Sequence, residues 1–119
     1  MIFTSYFGSK APRERKVCIA KYGPRYWSGP MAKRLAPSNP KALFWKAAYL
    51  ADLEERFPSG EGLMEYLDEI CRRVPNPILC CYEREPELCH RSILADYARQ
   101  WINVEMHEWE PDSTQLSLI

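Results

Sequence analysis

No apolar run in this sequence approaches the roughly 20 residues that cross a membrane, so the chain is not expected to span one. The first ten residues lack the charged head, apolar middle and small-residue cleavage site of a signal peptide. The expected location is therefore the cytoplasm. Internal repeats and low-complexity blocks are absent, which excludes repeat architectures. Cysteine is odd in number: Cys18, Cys71, Cys80, Cys81 and Cys89. Without an export signal, a disulfide framework is not expected, and the thiols read as core fillers, metal ligands or reactive groups. Acidic residues are nearly missing from the first 46 positions, where Glu14 is the single one.

What is present suits one ordinary domain. The chain has 119 residues, enough to bury a core without staples, and 46% are apolar, which argues against disorder throughout. Net charge is zero but unevenly spread: residues 1–46 carry ten Lys or Arg against one acid, a net of +9, and residues 47–119 balance them at −9. The basic part interleaves its charges with Tyr22, Tyr26 and Trp27. Such a mixture suits a polyanion, because phosphate attraction supplies affinity and rings stack on bases. Tyr6, Lys21, Arg25, Lys33 and Arg34 are the candidate phosphate or nucleic-acid contacts. A solvated basic loop balanced by acidic helices would look the same.

Residues 1–7 (MIFTSYF) and 16–20 (KVCIA) read as strands. Residues 21–40 form a long irregular stretch punctuated by Gly23, Pro24, Gly29, Pro30, Pro37 and Pro40. Asn39 and Pro40 predict a helix start. Leu43, Ala47, Leu50 and Leu53, with Phe44, Ala48 and Ala51, supply its apolar spacing up to Phe57. A second helix is expected over 59–73, with Leu63, Tyr66, Leu67 and Ile70 as its stripe. Residues 78–82 (ILCCY) form a continuous apolar run, the mark of a central strand covered on both faces. A short loop and a helix to about residue 100 follow, then alternating residues 104–109 (VEMHEW) that fit an edge strand. The order implies an α/β fold: a single three-layer sandwich over residues 1–109 with a small, mostly parallel sheet. Residues 110–119 are expected to be a flexible tail.

The junction ILCCYEREPELCHRS places Cys89, His90 and Arg91 in the opening turns of a helix behind Pro86. Helix N-termini offer free N–H groups and a positive field, which attract anions and lower the pKa of a thiol. Ligands in open α/β sheets sit beyond the strand carboxyl ends, where Cys81 and Glu83 leave the strand. At about 100° per residue, the stripe of Ile93, Leu94, Tyr97, Ala98 and Trp101 shares the direction of His90. His90 is then expected to face the sheet, with Cys89 and Arg91 on opposite flanks reaching the rim. A satisfied core histidine would sit in the same place.

Three readings follow. Cys89 is a nucleophile with His90 as base, Arg91 as anion clamp and Glu83 as acid/base or orienting group. Alternatively, Arg91 and the helix start only bind an anion. In the third, Cys81, Cys89 and His90 hold a metal; but Cys81-x7-Cys89-His90 matches no common zinc spacing, so no metal is expected. The Cys-x5-Arg phosphatase pattern also fails, since Glu87 follows Cys81 by six residues and Ala95 follows Cys89 by six.

The run from Leu79 to Glu83, the loop with Pro86, and Cys89-His90-Arg91-Ser92 together resemble the signature of the domain of unknown function 488, found in bacteria, archaea and phages. Residues 3–7, 19–24 and 33–38 are similar to its compact branch. The resemblance implies an α/β sandwich with a parallel sheet and a shared site at Cys81, Glu83, Cys89, His90 and Arg91. It implies no reaction and no cofactor. Cys80 stands where the family more often has an apolar residue.

Gln115, Leu116, Ser117, Leu118 and Ile119 resemble the peptide that bacterial replication and repair proteins insert into the sliding clamp. Apolar anchors on a polar tether suit a partner's groove; Ile119 departs from the usual closing Phe or Leu. Joined together, these features describe a DNA-metabolism protein that binds a nucleotide or nucleic-acid phosphate and is recruited to the clamp. A non-enzymatic modulator of replication that occupies the clamp, or a nucleotide sensor, fits the same residues. The sequence does not decide whether the chain is an enzyme.

Overall fold

The run at 78–81 is the centre of the molecule in the computed structural model, which describes residues 1–111. Strand β3 (Ile78–Cys81) is buried at every position. It pairs in parallel with β1 (Ile2–Tyr6) on one side and β2 (Lys16–Cys18) on the other. Strand β4 (Met106–Glu108) adds to the far side of β1, also parallel. The four-stranded sheet has the order β2-β3-β1-β4.

Among the described residues, three helices complete the α/β fold: α1 (Trp45–Arg56), α2 (Gly60–Arg73) and α3 (His90–Ile102). The steps from β2 to β3 and from β3 to β4 run in the same direction across the sheet. Crossovers of one hand therefore place all three helices on the same face. Leu53, Leu63, Leu67, Leu94 and Tyr97 pack there against Ile2, Val17, Leu79 and Met106. The step from β1 to β2 runs the opposite way, and the chain after β1 covers the opposite face. Phe7 and Ala11 pack there on Cys18, Ile78 and Cys80, with Trp27 added from the long loop. The sandwich thus has one helical outer layer and one of irregular chain. Lys16, buried at the start of β2, donates from Nζ to the carbonyls of Phe7 and Ser9 at 2.8 Å each and ties this layer down.

Helix α2 meets its sequence signals. The Ser59 side chain accepts from Gly62 N at the N-cap, Leu63, Leu67 and Ile70 are buried, and Arg72 and Arg73 sit in the last turn, where they complement the helix dipole. Helix α1 departs from the expectation. It starts at Trp45, because residues 39–42 form a separate turn closed by Asn39. Its buried side is Tyr49 and Leu53, whereas Leu43 and Phe44 are exposed. The polar residues beside that face grip the preceding loop. Asp52 accepts from Ser38 N and Oγ at 2.9 and 2.8 Å, Arg56 donates to the carbonyls of Arg34 and Ala36, and Tyr49 donates to Leu35 O at 2.6 Å. No helix among the described residues is long and apolar enough to cross a membrane.

Candidate functional site

Where β2 and β3 end, their chains diverge and leave a cavity of about 450 Å³. Its floor is Cys81, Cys89 and His90, and its walls include Lys21, Tyr22, Trp45, Tyr82 and Glu83. The position at the carboxyl edge of a parallel sheet is the usual one for a ligand. The volume falls in the range of small-molecule sites.

Cys89 is the N-cap of α3, and a short 3-10 turn over Pro86–Leu88 delivers it there. His90 is buried beneath it. The Nε2 atom lies 2.6 Å from the carbonyl oxygen of Ile19. A carbonyl only accepts, so Nε2 carries the proton and Nδ1 is the bare lone pair of the neutral ring. That lone pair faces Cys89 Sγ at 3.7 Å. Burial holds the imidazole neutral, lowering its pKa to about 4. Tyr49 packs edge-on against the ring at 4.9 Å and fixes its plane.

Arg91 does not reach the rim. It is fully buried, and each of its five N–H donors has a partner. Nε and Nη2 form a two-point pair with Glu108 at 3.0 and 2.8 Å; Nη2 also donates to Arg84 O at 2.9 Å. Nη1 donates to Glu83 O and to Cys81 Sγ, the latter at 3.1 Å. With no donor left over, Arg91 is not the expected anion clamp. It anchors the loop after β3, ties α3 to β4 and sets a cation against the Cys81 sulfur. The helical wheel missed this because Glu108, on the inward side of the edge strand, draws the guanidinium inside. Trp101, also expected in the buried stripe, is largely exposed.

The sulfurs of Cys81 and Cys89 lie in direct contact, close enough to join when oxidised. The sequence reading did not foresee this pairing. Cys18, Cys71 and Cys80 are free, and burial pushes the Cys80 thiol up to about 12, as an inert core group. Cys81, Cys89 and a ring nitrogen of His90 also lie within 4.8 Å of one another, the same trio as in the third reading of the sequence. Joined sulfurs have no thiolate to offer a metal; only the reduced pair would.

Of the other candidate residues, Lys21 lines the cavity and donates to Ser38 O at 2.8 Å. Glu83 accepts from Arg91 through its backbone carbonyl and is one of the residues that line the cavity. Arg25 and Lys33 are exposed and line no part of it. Tyr6 ends β1 without reaching it. Arg34 is a brace: its guanidinium lies over the rings of Phe57 and Tyr66 and donates to Arg56 O at 2.8 Å. Gln115, Leu116, Ser117, Leu118 and Ile119 lie outside the described residues. Glu108, Tyr49 and the Ile19 carbonyl complete the site unpredicted. Only Glu108 left a signal, an acid in phase with Met106 on the inward side of a strand.

No curated protein and no solved structure matches the chain. The family model described as domain of unknown function DUF488 matches residues 23–98, a span that holds β3, the Cys81–Cys89 pair, His90 and Arg91. The chain belongs to the DUF488 domain family.

Proposed function

We propose that the cavity takes a planar, anionic ligand of the nucleotide class, free or within nucleic acid, and that Cys89 in its reduced form reacts with it. Trp45, Tyr22 and Tyr82 supply ring faces for a base, and Lys21 supplies the positive charge for a phosphate or other acid. His90 takes the thiol proton as Cys89 attacks. The observation behind this reading is the contact geometry of the two His90 ring nitrogens. The bond to Ile19 O commits Nε2 and aims the free lone pair at the sulfur. Arg91 is a positioning residue here, and the surrounding basic loop draws the polyanion in.

Alkylation of the reduced protein with iodoacetamide tests both parts. Cys89 is expected to be modified faster than Cys18, Cys71 and Cys80, several-fold more slowly after His90→Asn, and more slowly again when a bound mononucleotide covers it. Indifference to the substitution would remove His90 as base. Indifference to every nucleotide would remove the ligand class.

Residues 115–119 extend the proposal to recruitment by a bacterial sliding clamp, a reading supported by their resemblance to clamp-binding peptides. Co-elution with a purified clamp, lost on Gln115→Ala, is the expected result. A Cys89→Ser variant that keeps all biological activity while Gln115→Ala abolishes it would favour a non-enzymatic clamp modulator.

A further inference from the structure

We propose that Cys81 and Cys89 are a thiol–disulfide exchange couple, which passes two electrons between the cavity and small thiols or disulfides. The proposal rests on Cys89 being the reachable thiol of the site, and not on the nature of the ligand. The two sulfurs stand in different surroundings, and each suits a different part in exchange. Cys81 is fully buried at the end of β3, with the Nη1 of the buried Arg91 3.1 Å from its sulfur. That cation stabilises negative charge on Cys81, which makes it the good leaving group. Cys89 retains slight exposure at the cavity floor and faces the neutral His90 ring. An incoming thiolate therefore meets Cys89.

The chemistry balances without a cofactor. A small-molecule thiolate attacks Cys89 Sγ, the Cys81–Cys89 bond breaks, and Cys81 departs as a thiolate facing Arg91. The mixed disulfide on Cys89 is then attacked at the small molecule's own sulfur by a second thiolate. A small-molecule disulfide leaves, and Cys89 is released to take a proton. Two small thiols have been oxidised and one protein disulfide reduced. In the reverse direction, Cys89 attacks a small disulfide with His90 accepting its proton, and Cys81 resolves the adduct. Cys18 and Cys80 do not compete, because they are buried in the core behind the sheet, and Cys71 lies on α2 and lines no part of the cavity.

The full chain is equilibrated in glutathione buffers from fully reduced to fully oxidised, quenched in acid, alkylated and mapped by peptide mass. Labels on Cys81 and Cys89 are expected to appear together in one two-electron transition, from none at the oxidised end to two per chain at the reduced end. Cys81→Ser should trap one glutathione on Cys89, whereas Cys89→Ser should leave Cys81 without an adduct. Any of three results would overturn the couple: both cysteines labelled in every buffer, oxidation that joins Cys89 to Cys71 or to another chain, or an adduct on Cys81 in Cys89→Ser. A stoichiometric zinc on the reduced chain, lost with either cysteine, would also overturn it and make the trio a metal site. The nucleotide reading fails separately, through absent protection in the alkylation assay, which this titration does not involve.

Discussion

Arg91 and Glu108 meet in a two-point ion pair that locks the first turn of α3 to the edge strand β4. Glu108 Oε1 also accepts from Thr4 Oγ1 at 2.8 Å, so β1, β4 and α3 converge on one carboxylate. Breaking a buried pair leaves an uncompensated charge, which costs about 3–5 kcal/mol. Glu108→Ala is expected to lose stability of that order, because the guanidinium it strands is fully buried. Urea unfolding measures the loss. A change below about 1 kcal/mol, the value of an exposed pair, would contradict this account of the junction.

Acid should destabilise the protein through His90. Its pKa falls from 6.5 to about 4 on folding because burial disfavours the charged ring. The unfolded chain therefore binds the proton more readily. The stability contribution is complete above pH 6.5 and is lost as pH falls toward about 4. The full loss is on the order of 3 kcal/mol. Denaturant midpoints measured across that window should fall in the wild type and flatten in His90→Gln. A wild type with equal stability at both ends would refute the buried neutral ring.

Lys21 and Arg34 were equivalent candidates in the sequence and should behave oppositely. Lys21→Ala removes the cavity's lysine and is expected to weaken nucleotide binding roughly tenfold, about 1.4 kcal/mol, with the fold intact. Arg34→Ala breaks a cation–ring stack and a bond to Arg56 O. It should cost about 1–2 kcal/mol of stability and leave affinity unchanged. Isothermal titration and thermal unfolding of both variants separate the roles.

The buried side of α1 is also testable. Leu53→Ala should cost about 2–5 kcal/mol through its core cavity, whereas Leu43→Ala, at a site 86% exposed, should change stability by less than about 0.5 kcal/mol. Comparable losses in the two would restore the helix face that apolar spacing suggests.

The strands and α2 were legible because their residues agree at every level. The run at 78–81 is apolar on both faces and does become the central strand, and α2 combines a cap, a stripe and basic C-terminal charges. Helix α1 was misread because apolar spacing counts carbon and not partners. Asp52 and Arg56 turn toward the loop at 34–38 to satisfy its backbone, and the exposed leucine and phenylalanine ahead of the helix are left over. At the site, the sequence placed His90 toward the sheet and Cys89 and His90 at the helix start. The contact of Cys81 with Cys89 and the spent donors of Arg91 lay beyond it, since both depend on partners far along the chain or across a strand–helix junction.

By itself, then, the sequence determined what local chemistry dictates: an α/β order of elements, a buried central strand, an amphipathic second helix, and a thiol beside a histidine at a helix start. Only the tertiary structure decided that all helices share one face, that Arg91 is consumed by Glu108 and backbone, and that Cys81 and Cys89 meet. Periodicity reports which side of an element is apolar. Which distant group completes each charge, lone pair or sulfur is settled only when strands and helices converge, because those pairings are contacts in space.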